Sequence, residues 1–354
     1  MGLPCVSQEL YQSESVVSSN VGVCCGALGH TVASRHGPLC FKYMHPKNHK
    51  ILARTFRVFL GLAAGCALFV YNSANGATLV SGAVSLGYEY DSNVSVDELD
   101  RNSSVGDGGV LFAADISLDH DLTDKTSASA SYGYSRIDYQ DFDFLNRETH
   151  MLGGSVSSKW QKLTAGINYF YINARLDGKD FLTYHRASPS LSGFVSRRWF
   201  LRGAYVFGDK TIARRPGRDA QNHGTELDAY YFWRGLRRYI NLGYVYRQED
   251  SQAERYKYDA HQVKLRVVQR FNVFSRLSTL ELGLRYEDRN YTEATPSIGQ
   301  KRSDERFRAA VEFDIPVSDR INWTIYGGYS DYVSNLPSAD YDQSLIGTRV
   351  ELSF

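Results

Sequence analysis

The sequence predicts an all-β fold, namely a transmembrane antiparallel up-and-down β-barrel of about 14 strands (12–16). Three observations support this prediction. Segments with alternating apolar and polar residues recur from Leu79 to Phe354, the connections between them alternate between short and long, and aromatic residues collect at the segment ends. Short turns on the periplasmic side and longer extracellular loops are typical of barrels in the outer membrane.

Composition narrows the functional classes. The 354 residues include 25 tyrosines and 30 glycines, a bias that favours strands over helices. The formal net charge is +1, which gives no basic face for nucleic acid, so we expect no nucleic-acid partner. All five cysteines precede residue 67, which excludes a disulfide or zinc framework from the rest of the chain.

The N-terminal part predicts a targeting sequence. Residues 44–76 combine basic residues, the apolar run Val58–Val70 and a small-residue exit, which is the pattern of a secretory signal peptide. The apolar run is short for a transmembrane helix. Residues 1–43 lack periodicity, and we interpret them as a non-native upstream extension or a disordered native one. The barrel is then predicted to occupy residues 77–354.

The strands follow from a period of two residues in hydrophobicity. In the last segment Val350, Leu352 and Phe354 lie on one side, which we expect to face lipid. This ending resembles the C-terminal signal read by the barrel-assembly machinery, an expected partner; the alternative is an ordinary edge strand. The other clear segments are Val84–Tyr90, Leu163–Tyr171, Ile240–Tyr246, His261–Phe271, Thr279–Glu287, Arg306–Ile315 and Asn322–Tyr329, and the less clear ones are Leu111–Leu122, Ser127–Ile137, Met151–Trp160, Ser188–Ser196, Trp199–Phe207 and Leu227–Trp233.

The connections between segments predict the orientation of the barrel. Short turns alternate with long polar connections, and the segment Ser188–Ser196 is the weakest strand because Pro189 removes a ladder donor. If the N-terminus is periplasmic, all four tryptophans fall at the periplasmic rim and many tyrosines at the other rim, as two aromatic girdles require. The tryptophans are Trp160, Trp199, Trp233 and Trp323, and the short turns are 122–126, 160–162, 196–198, 234–238, 272–276 and 316–320.

Charged residues occupy the opposite side of the strands, which predicts a polar lumen. A charged Arg or Lys that faced lipid at mid-membrane would cost about 2–4 kcal/mol. These side chains either set the selectivity of a pore or fill the lumen as interlocked pairs, and the sequence leaves both open. The predicted lumen residues are Asp115, Asp119, Arg202, Glu226, Asp228, Lys264, Arg266, Glu281, Arg285, Glu287, Arg306, Arg308, Glu312, Asp314, Arg349 and Glu351.

Residues with catalytic or ligand-binding chemistry are sparse. The five histidines after residue 77 lack metal-ligand spacing, and there is no phosphate loop or hydrolase motif. His150 with Glu148 and His185 with Ser188 come nearest to a catalytic pair. We predict no enzymatic activity, no metal and no cofactor. The basic segment Ile212–Arg218 is either a solvated loop or a binding site for lipopolysaccharide or another anion.

One segment resembles a known family. Residues 87–94 read GYEYDSNV, and four of them resemble the YDSN hallmark of bacterial outer-membrane barrels that include the barrel domain of surface lipoprotein assembly modifiers and related porin-like proteins: Tyr90, Asp91, Ser92 and Asn93. The segment DLTDKTSASASYGYSRIDY also resembles them. The resemblance covers residues 79–354. Those modifiers carry a periplasmic helical-repeat domain before the barrel, and we expect no such domain between the predicted signal peptide and Val84, so no substrate-contacting residue is carried over.

These observations predict an integral barrel of the bacterial outer membrane. The expected function is a porin-like or export channel with a charged lumen. The alternative is a factor for the assembly or display of surface lipoproteins, or a plugged structural barrel. Expected partners are outer-membrane lipids, lipopolysaccharide, the barrel-assembly machinery and a surface lipoprotein or secreted protein.

Overall fold

The computed structural model describes residues 78–354. The predicted extension, signal peptide and cysteines lie outside these residues. No helix within residues 78–354 is long and apolar enough to cross a membrane.

Fourteen antiparallel strands form a closed barrel, which confirms the predicted fold. The first loop adds a two-stranded sheet, β2 (Ser95–Val96) with β3 (Arg101–Asn102). The barrel strands are β1 (Thr78–Asp91), β4 (Asp107–Thr123), β5 (Thr126–Tyr139), β6 (Arg147–Trp160), β7 (Leu163–Leu176), β8 (Lys179–Phe194), β9 (Trp199–Ile212), β10 (Ala220–Phe232), β11 (Arg238–Ser251), β12 (Tyr258–Val273), β13 (Arg276–Thr295), β14 (Gln300–Pro316), β15 (Ile321–Ser334) and β16 (Tyr341–Ser353). The remaining regular elements are 3₁₀ turns at Asp97–Leu99, Asp143–Leu145, Pro216–Arg218, Glu254–Tyr256 and Pro337–Ala339.

The first and last strands close the barrel. β1 pairs with β16 from Ala83 opposite Ser353 to Asp91 opposite Leu345. Beyond the last strand residue, Gly82 and Phe354 exchange two backbone hydrogen bonds of 2.9 Å each. Closure removes the unpaired edges that a membrane does not tolerate. The final residue of the chain therefore takes part in joining the two ends of the sheet.

The outer wall of the barrel is apolar. On β16, Ile346 and Val350 are 63% and 50% exposed, and Phe354 lies on the same side. The same alternation places Leu86 and Leu242 on the exposed side of their strands. So large an exposed apolar surface is unfavourable in water and is stable where lipid covers it.

The strands run further than the sequence predicted. The barrel strands have 13 to 20 residues, and the polar stretches 176–182 and 289–303 are mostly strand. β7 and β8 are joined by Asp177 and Gly178 alone, with φ of 51° and 68°. Two consecutive left-handed residues form the tight turn that matches the twist of a hairpin. The polarity of this stretch indicated a long loop, but its Asp-Gly pair forms a tight turn.

The strand with Pro189 is also formed. The ladder between β8 and β9 is interrupted at Ser188 and Pro189 and resumes at Ser190 opposite Ala204. On the β7 side, Pro189 stays in register opposite Ile167. The proline therefore affects the ladder on one side of β8, and the strand continues through it.

The structure places the four tryptophans at one end of the barrel. This end has the short connections 124–125, 161–162 and 274–275 and both ends of the barrel chain. Trp160 ends β6, Trp199 begins β9, Trp233 follows β10, and Trp323 lies near the start of β15. By the usual topology this is the periplasmic end, and the first loop lies at the extracellular end.

Gly87 provides a test of the closing seam between β1 and β16. A Cβ at Gly87 would lie 2.6 Å from the backbone oxygen of Thr348 on β16, so the backbone itself would have to move. We expect Gly87→Ala to destabilise the barrel by about 1–3 kcal/mol, the usual range for overpacking. The measurement is the denaturant midpoint of the refolded barrel, read from the gel shift between folded and heat-unfolded forms.

Gly154→Ala is the matched control, because its added Cβ would have no atom closer than 3.9 Å. Equal midpoints for the two variants would contradict the tight fit assigned to the seam.

Candidate functional site

The predicted charged residues all lie on the lumen side of their strands. Each has the parity opposite to the exposed apolar residues of its strand; on β13, for example, Leu282 and Leu284 are exposed and Arg285 points to the lumen. The barrel thus encloses a charged interior.

The two sides of the lumen differ in chemistry. The wall formed by β1 and β4–β7 presents serines that hydrogen-bond across strands, at 2.9 Å for Ser81 and Ser117 and 2.7 Å for Ser129 and Ser155. Asp115 on this wall is exposed. Neither Asp115 nor Asp119 has an ion pair among the described residues. The opposite wall, β9–β16, carries most of the charged side chains.

A buried charge network occupies β8 to β12. Arg202 contacts Glu226 at 3.4 Å and Asp228 at 3.2 Å. Arg186 adds a 2.8 Å pair to Glu226, and Lys264 approaches Asp228 at 3.4 Å. The Asp228 side chain is 1% exposed. A carboxylate so deeply buried is tolerated because it is paired with cations.

The other charge pairs also follow the wall. Arg266 pairs with Glu281 at 2.5 Å on the adjacent strand, and Arg349 pairs with Glu312 at 2.8 Å two strands away. Asp314 accepts a hydrogen bond from Thr324, and Glu351 accepts one from Ser353. Because these pairs join close neighbours, they do not cross the lumen.

Three cations stand in one row across adjacent strands. Lys264 on β12 is opposite Arg285 on β13, which is opposite Arg308 on β14. Lys264 and Arg308 each contact an acid, whereas Arg285 has no ion pair within 4 Å among residues 78–354. Like charges directly opposite each other are destabilising. Among the described residues, Arg285 is therefore the cation of this row whose charge is not offset by an ion pair.

The first loop, residues 92–106, folds into the outer half of the lumen. Asp97 accepts hydrogen bonds from Arg308 at 3.0 Å and from Tyr341 at 2.7 Å. Asp100 accepts from Arg302 at 2.9 Å and from Arg218, in the loop between β9 and β10, at 2.5 Å. Two carboxylates of one loop therefore hold arginines from separate parts of the barrel. We call these contacts the latch.

The apolar residues of the same loop reach another wall. Val96 belongs to a buried cluster, against which Leu99 also packs. The barrel contributes Ala174, Phe181, Leu182 and Ile212 from β7, β8 and β9. The latch arginine Arg302 lies on β14, so the loop spans the lumen between the two walls. Burial of the apolar residues of the loop and ion pairing of its carboxylates together hold the loop in the lumen.

The YDSN motif forms the root of this loop. Asp91 accepts a hydrogen bond from the backbone N–H of Asn93 at 2.9 Å and one from Gln343 on β16 at 2.6 Å. Ser92 Oγ accepts from the backbone of Ser344 at 2.7 Å, and Asn93 Oδ1 accepts from the backbone of Ser104 at 2.8 Å. The motif therefore ties the loop to the closing strand and turns the chain inward.

The electrostatics of the loop keep the latch charged. Burial alone would raise the pKa of Asp100, but hydrogen bonds and charge from Arg302 and Arg218 lower it to about 2. At Asp97 burial would again raise the pKa, but the charges of Arg308 and Arg306 lower it below its ordinary value. Glu98 differs, because burial and the charge of Asp97 raise its pKa. Asp97 and Asp100 thus stay ionised at neutral pH.

An aromatic cluster inside the periplasmic end was missed from the sequence. Phe200, Tyr230, Phe232, Tyr239 and Val268 are buried together on the lumen side of β9–β12. Near this end, β9–β12 carry large apolar residues on both sides of each strand, and this pattern could have predicted the cluster. The cluster fills part of the lumen beneath the charge network of Arg202.

The histidine pairs do not form catalytic arrangements. His185 lies on the outer wall and Ser188 on the lumen side of the same strand, and the buried Ser188 Oγ has no hydrogen-bond partner. His150 contacts tyrosines of the outer wall. Within the described part of the chain, no three His, Cys, Asp or Glu side chains are grouped to hold a metal. In the basic segment, Arg218 turns inward to the latch, while Arg214 and Arg215 are exposed.

Glu287 provides a test of the buried charges. It pairs with Arg289 at 2.6 Å and Arg247 at 3.1 Å, and its side chain is 9% exposed. Glu287→Gln leaves two arginines without their counter-ion. We expect a loss of about 2–4 kcal/mol in unfolding free energy, below the largest values for broken buried pairs because Arg247 retains access to water. Denaturant unfolding of the barrel in micelles measures it.

Asp319→Asn is the control, because Asp319 pairs with Arg276 but its side chain is 97% exposed. Exposed pairs contribute little, so this variant should unfold like the parent. If Glu287→Gln also unfolds like the parent, the lumen charges are not a stabilising network.

Solved structures that resemble the barrel are outer-membrane proteins. A bacterial polysaccharide outer membrane secretin is 11% identical, with a TM-score of 0.42 and coverage of 77% of this chain and 97% of its own. Salmonella typhi OmpF in complex with daunomycin is 8% identical, with a TM-score of 0.47 and coverage of 80% and 99%. The anion-selective porin from Comamonas acidovorans is 9% identical, with a TM-score of 0.42 and coverage of 79% and 100%. A comparison with curated proteins found no match.

The family model of surface lipoprotein assembly modifiers matches residues 81–322, which is well over half of the chain. The match begins in β1, includes the YDSN motif and the infolded loop, and ends in β15. It confirms the resemblance predicted from the sequence and implies a location in the bacterial outer membrane. The chain belongs to the surface lipoprotein assembly modifier family.

Proposed function

We propose that this barrel is a porin-like or export channel of the outer membrane, closed at its extracellular mouth by the first loop. One observation carries the proposal: beside the aromatic cluster, parts of the inner lumen wall remain accessible, whereas lumen residues under the first loop are buried. In the inner half Asp115 is exposed and the Glu312 side chain is 37% exposed. In the outer half Glu89 and Arg302 are 1% and 2% exposed. This gradient is expected of a water-filled vestibule that ends at a closed gate.

The serine-rich wall supports a passage for polar cargo. Its side chains are small, and their hydroxyls satisfy one another across strands, as Ser127 and Ser157 do at 3.1 Å. A polar solute or an extended polypeptide can exchange hydrogen bonds with such a wall at little cost. The row of Lys264, Arg285 and Arg308 faces the same lumen and would favour anionic groups.

The latch supports gating rather than a permanent plug. The loop is held by a small number of ion pairs and one apolar cluster, and the pairs along the walls do not depend on it. Displacing the loop would leave the barrel wall intact. It would also expose the arginines of the latch to water or to a cargo, which limits their desolvation cost.

The family match supports a second candidate function, the assembly or display of surface lipoproteins. The name of the family refers to surface lipoproteins, and the match covers the barrel itself. A cargo of this kind would pass the gate as a polypeptide. The two candidates differ in cargo, and both require the lumen to open.

Charge removal at the latch tests the channel. In the double variant Asp97→Asn, Asp100→Asn, the loop loses its charged contacts with Arg218, Arg302, Arg306 and Arg308, so it should leave the lumen more often. Asp304 remains as a partner of Arg302 and Arg306. We expect the full-length protein in planar bilayers to give stepwise currents at least about tenfold more frequent than the parent. Adding Arg285→Ala should then lower the preference for anions. The measurement is single-channel recording with reversal potentials.

The matched control is Asp141→Asn, Asp143→Asn in the second extracellular loop, which changes the same charge at the same end without touching the latch. Silence of the latch variant, with folding shown by heat-modifiable migration, would sink the channel proposal. A plugged structural barrel would then be favoured.

Acidification tests the latch separately. The pKa of Asp100 is lowered to about 2 from its ordinary 3.8, so its pairing stabilises the loop above pH 4 and is lost as the pH falls through about 2. We therefore expect no acid-induced opening between pH 8 and pH 4, and opening only near pH 2. Conductance recorded across this range checks it; a transition near pH 5–6 would contradict the assignment of the latch to these carboxylates.

Surface display tests the second candidate. In cells that produce a surface lipoprotein, deletion of this protein should reduce the fraction of that lipoprotein that an external protease cleaves. The Glu287→Gln variant, which leaves the latch untouched, controls for barrel stability. Unchanged cleavage after deletion would contradict the proposal that the lipoprotein is the cargo. It would not affect the conclusion drawn from the conductance measurement.

A further inference from the structure

A repeated histidine unit surrounds much of the outer wall near the extracellular end. In each unit, a rising strand carries two aromatic residues with one residue between them. The next strand carries a histidine directly opposite the second aromatic residue. The pairs are Tyr134 with His150, Tyr171 with His185, Phe207 with His223 and Tyr246 with His261. We call the four units the histidine belt.

The geometry of three units is the same. Nδ1 of His150 lies 2.8 Å from the hydroxyl of Tyr132, and Nδ1 of His185 and His261 lies 2.7 Å from the hydroxyls of Tyr169 and Tyr244. The second tyrosine packs on each imidazole with ring centroids 5.0–5.2 Å apart. The fourth unit has the ring contacts but lacks the hydrogen bond. Three imidazoles are therefore held in one orientation.

The belt lies at the outer interface of the membrane. Ten residues separate His150 from Trp160 and His261 from Phe271 on the lipid side of one strand, and ten separate His223 on β10 from Trp233, which directly follows that strand. With a rise of about 3.3 Å per residue and a tilt of about 40°, ten residues climb about 25 Å. That is the height of the apolar band of an outer-membrane barrel, so tryptophans mark one boundary and histidines the other.

The belt leaves one imidazole nitrogen of each of these histidines available at this boundary. With Nδ1 engaged by tyrosine, Nε2 lies on the opposite edge of each ring. Among residues 78–354, no hydrogen bond joins Nε2 of His150, His185 or His261 to another residue. A polar group at a lipid-facing surface without a partner is costly, so a headgroup at this level is the natural partner.

The neighbouring charges select the kind of headgroup. Asp209 on β9 stands opposite His185, and Asp288 on β13 stands opposite His261. Asp259 accepts a hydrogen bond from Tyr246 beside His261, and Asn173 stands opposite His150. Carboxylates repel a phosphate and accept hydrogen bonds from hydroxyls. Together with imidazole donors and tyrosine rings, they form a surface suited to sugars.

We propose that the histidine belt binds the sugar headgroup of an outer-leaflet glycolipid through hydrogen bonds to its hydroxyls. Each unit presents a fixed imidazole, two aromatic rings and, in two units, an adjacent carboxylate. The repetition around the wall provides several equivalent sites. Lipid A is the occupant, because its sugars lie at the level where the histidines project; its hydroxyls face the belt, and its two phosphates are directed away from the carboxylates of Asp209, Asp259 and Asp288.

The experiment compares lipid binding by the full-length protein and by the triple variant His150→Phe, His185→Phe, His261→Phe. The probes are lipid A stripped of both phosphates, and phosphatidylglycerol, each titrated in detergent and read by native mass spectrometry. We expect the triple variant to lose affinity for the stripped lipid A by about tenfold or more. Affinity for phosphatidylglycerol should be weak and unchanged. The matched control is Trp160→Phe, Trp233→Phe, Trp323→Phe, which alters the other boundary and should leave lipid A binding unchanged.

Two results would overturn the proposal. One is equal affinity of parent and triple variant for stripped lipid A. The other is phosphatidylglycerol binding that matches lipid A and falls with the histidines, which would mean recognition of anionic headgroups. If the histidine variant fails to fold, Tyr132→Phe, Tyr169→Phe, Tyr244→Phe keeps every ring and frees the imidazoles. A several-fold loss for that variant supports the proposal, and no loss contradicts it.

Discussion

Backbone hydrogen bonding in a bilayer is the constraint on which the rest of this structure depends. A sheet in lipid has no water to satisfy its edges, so β1 must meet β16 and the final residue must complete the seam. In a closed barrel each strand has one side toward the lipid and one toward the lumen. A shift of the register by one residue would turn the charged side chains to the lipid, so the register of every strand is fixed. All charged strand residues are consequently directed to the lumen or to the ends. The chemistry of the interior follows from the closure of the wall.

A charged interior then needs counter-charges at short range. Most of them come from strands one or two positions away around the wall, as with Arg266 and Glu281 or Arg349 and Glu312. The outer half of β14 is an exception, with Arg302, Arg306 and Arg308 on one strand. Asp304 forms an ion pair with Arg302 at 2.7 Å. Asp97 and Asp100 of the first loop provide the other negative charges for these arginines. The arginines of β14 therefore need the carboxylates that the first loop provides when it folds into the lumen.

The sequence predicted what depends on local pattern. The period of two residues gave the closed barrel and the lumen side of residues such as Asp115 and Arg349, and the turn spacing gave the end of the barrel that has the short connections. The latch was not predictable, because Asp97 and Arg308 are 211 residues apart and no local pattern relates them. The aromatic cluster at Tyr230 was missed for a related reason: its residues share the parity of the lumen charges, and a pattern cannot distinguish a packed lumen from an open one. The Asp177–Gly178 hairpin was missed because polarity was given more weight than turn chemistry.

The energetics of the latch decide how a closed barrel of this kind can open. Removing the loop from its site leaves several arginines facing a narrow, low-dielectric space, and an uncompensated buried charge costs several kcal/mol. Water that enters from the vestibule beside Asp115 lowers that cost, and an acidic stretch of cargo lowers it further by replacing Asp97 and Asp100 in turn. The loop and a cargo would then compete for the same arginines. If the barrel is the channel proposed above, its gate would stay closed without cargo and would open in proportion to how well the cargo reproduces two carboxylates.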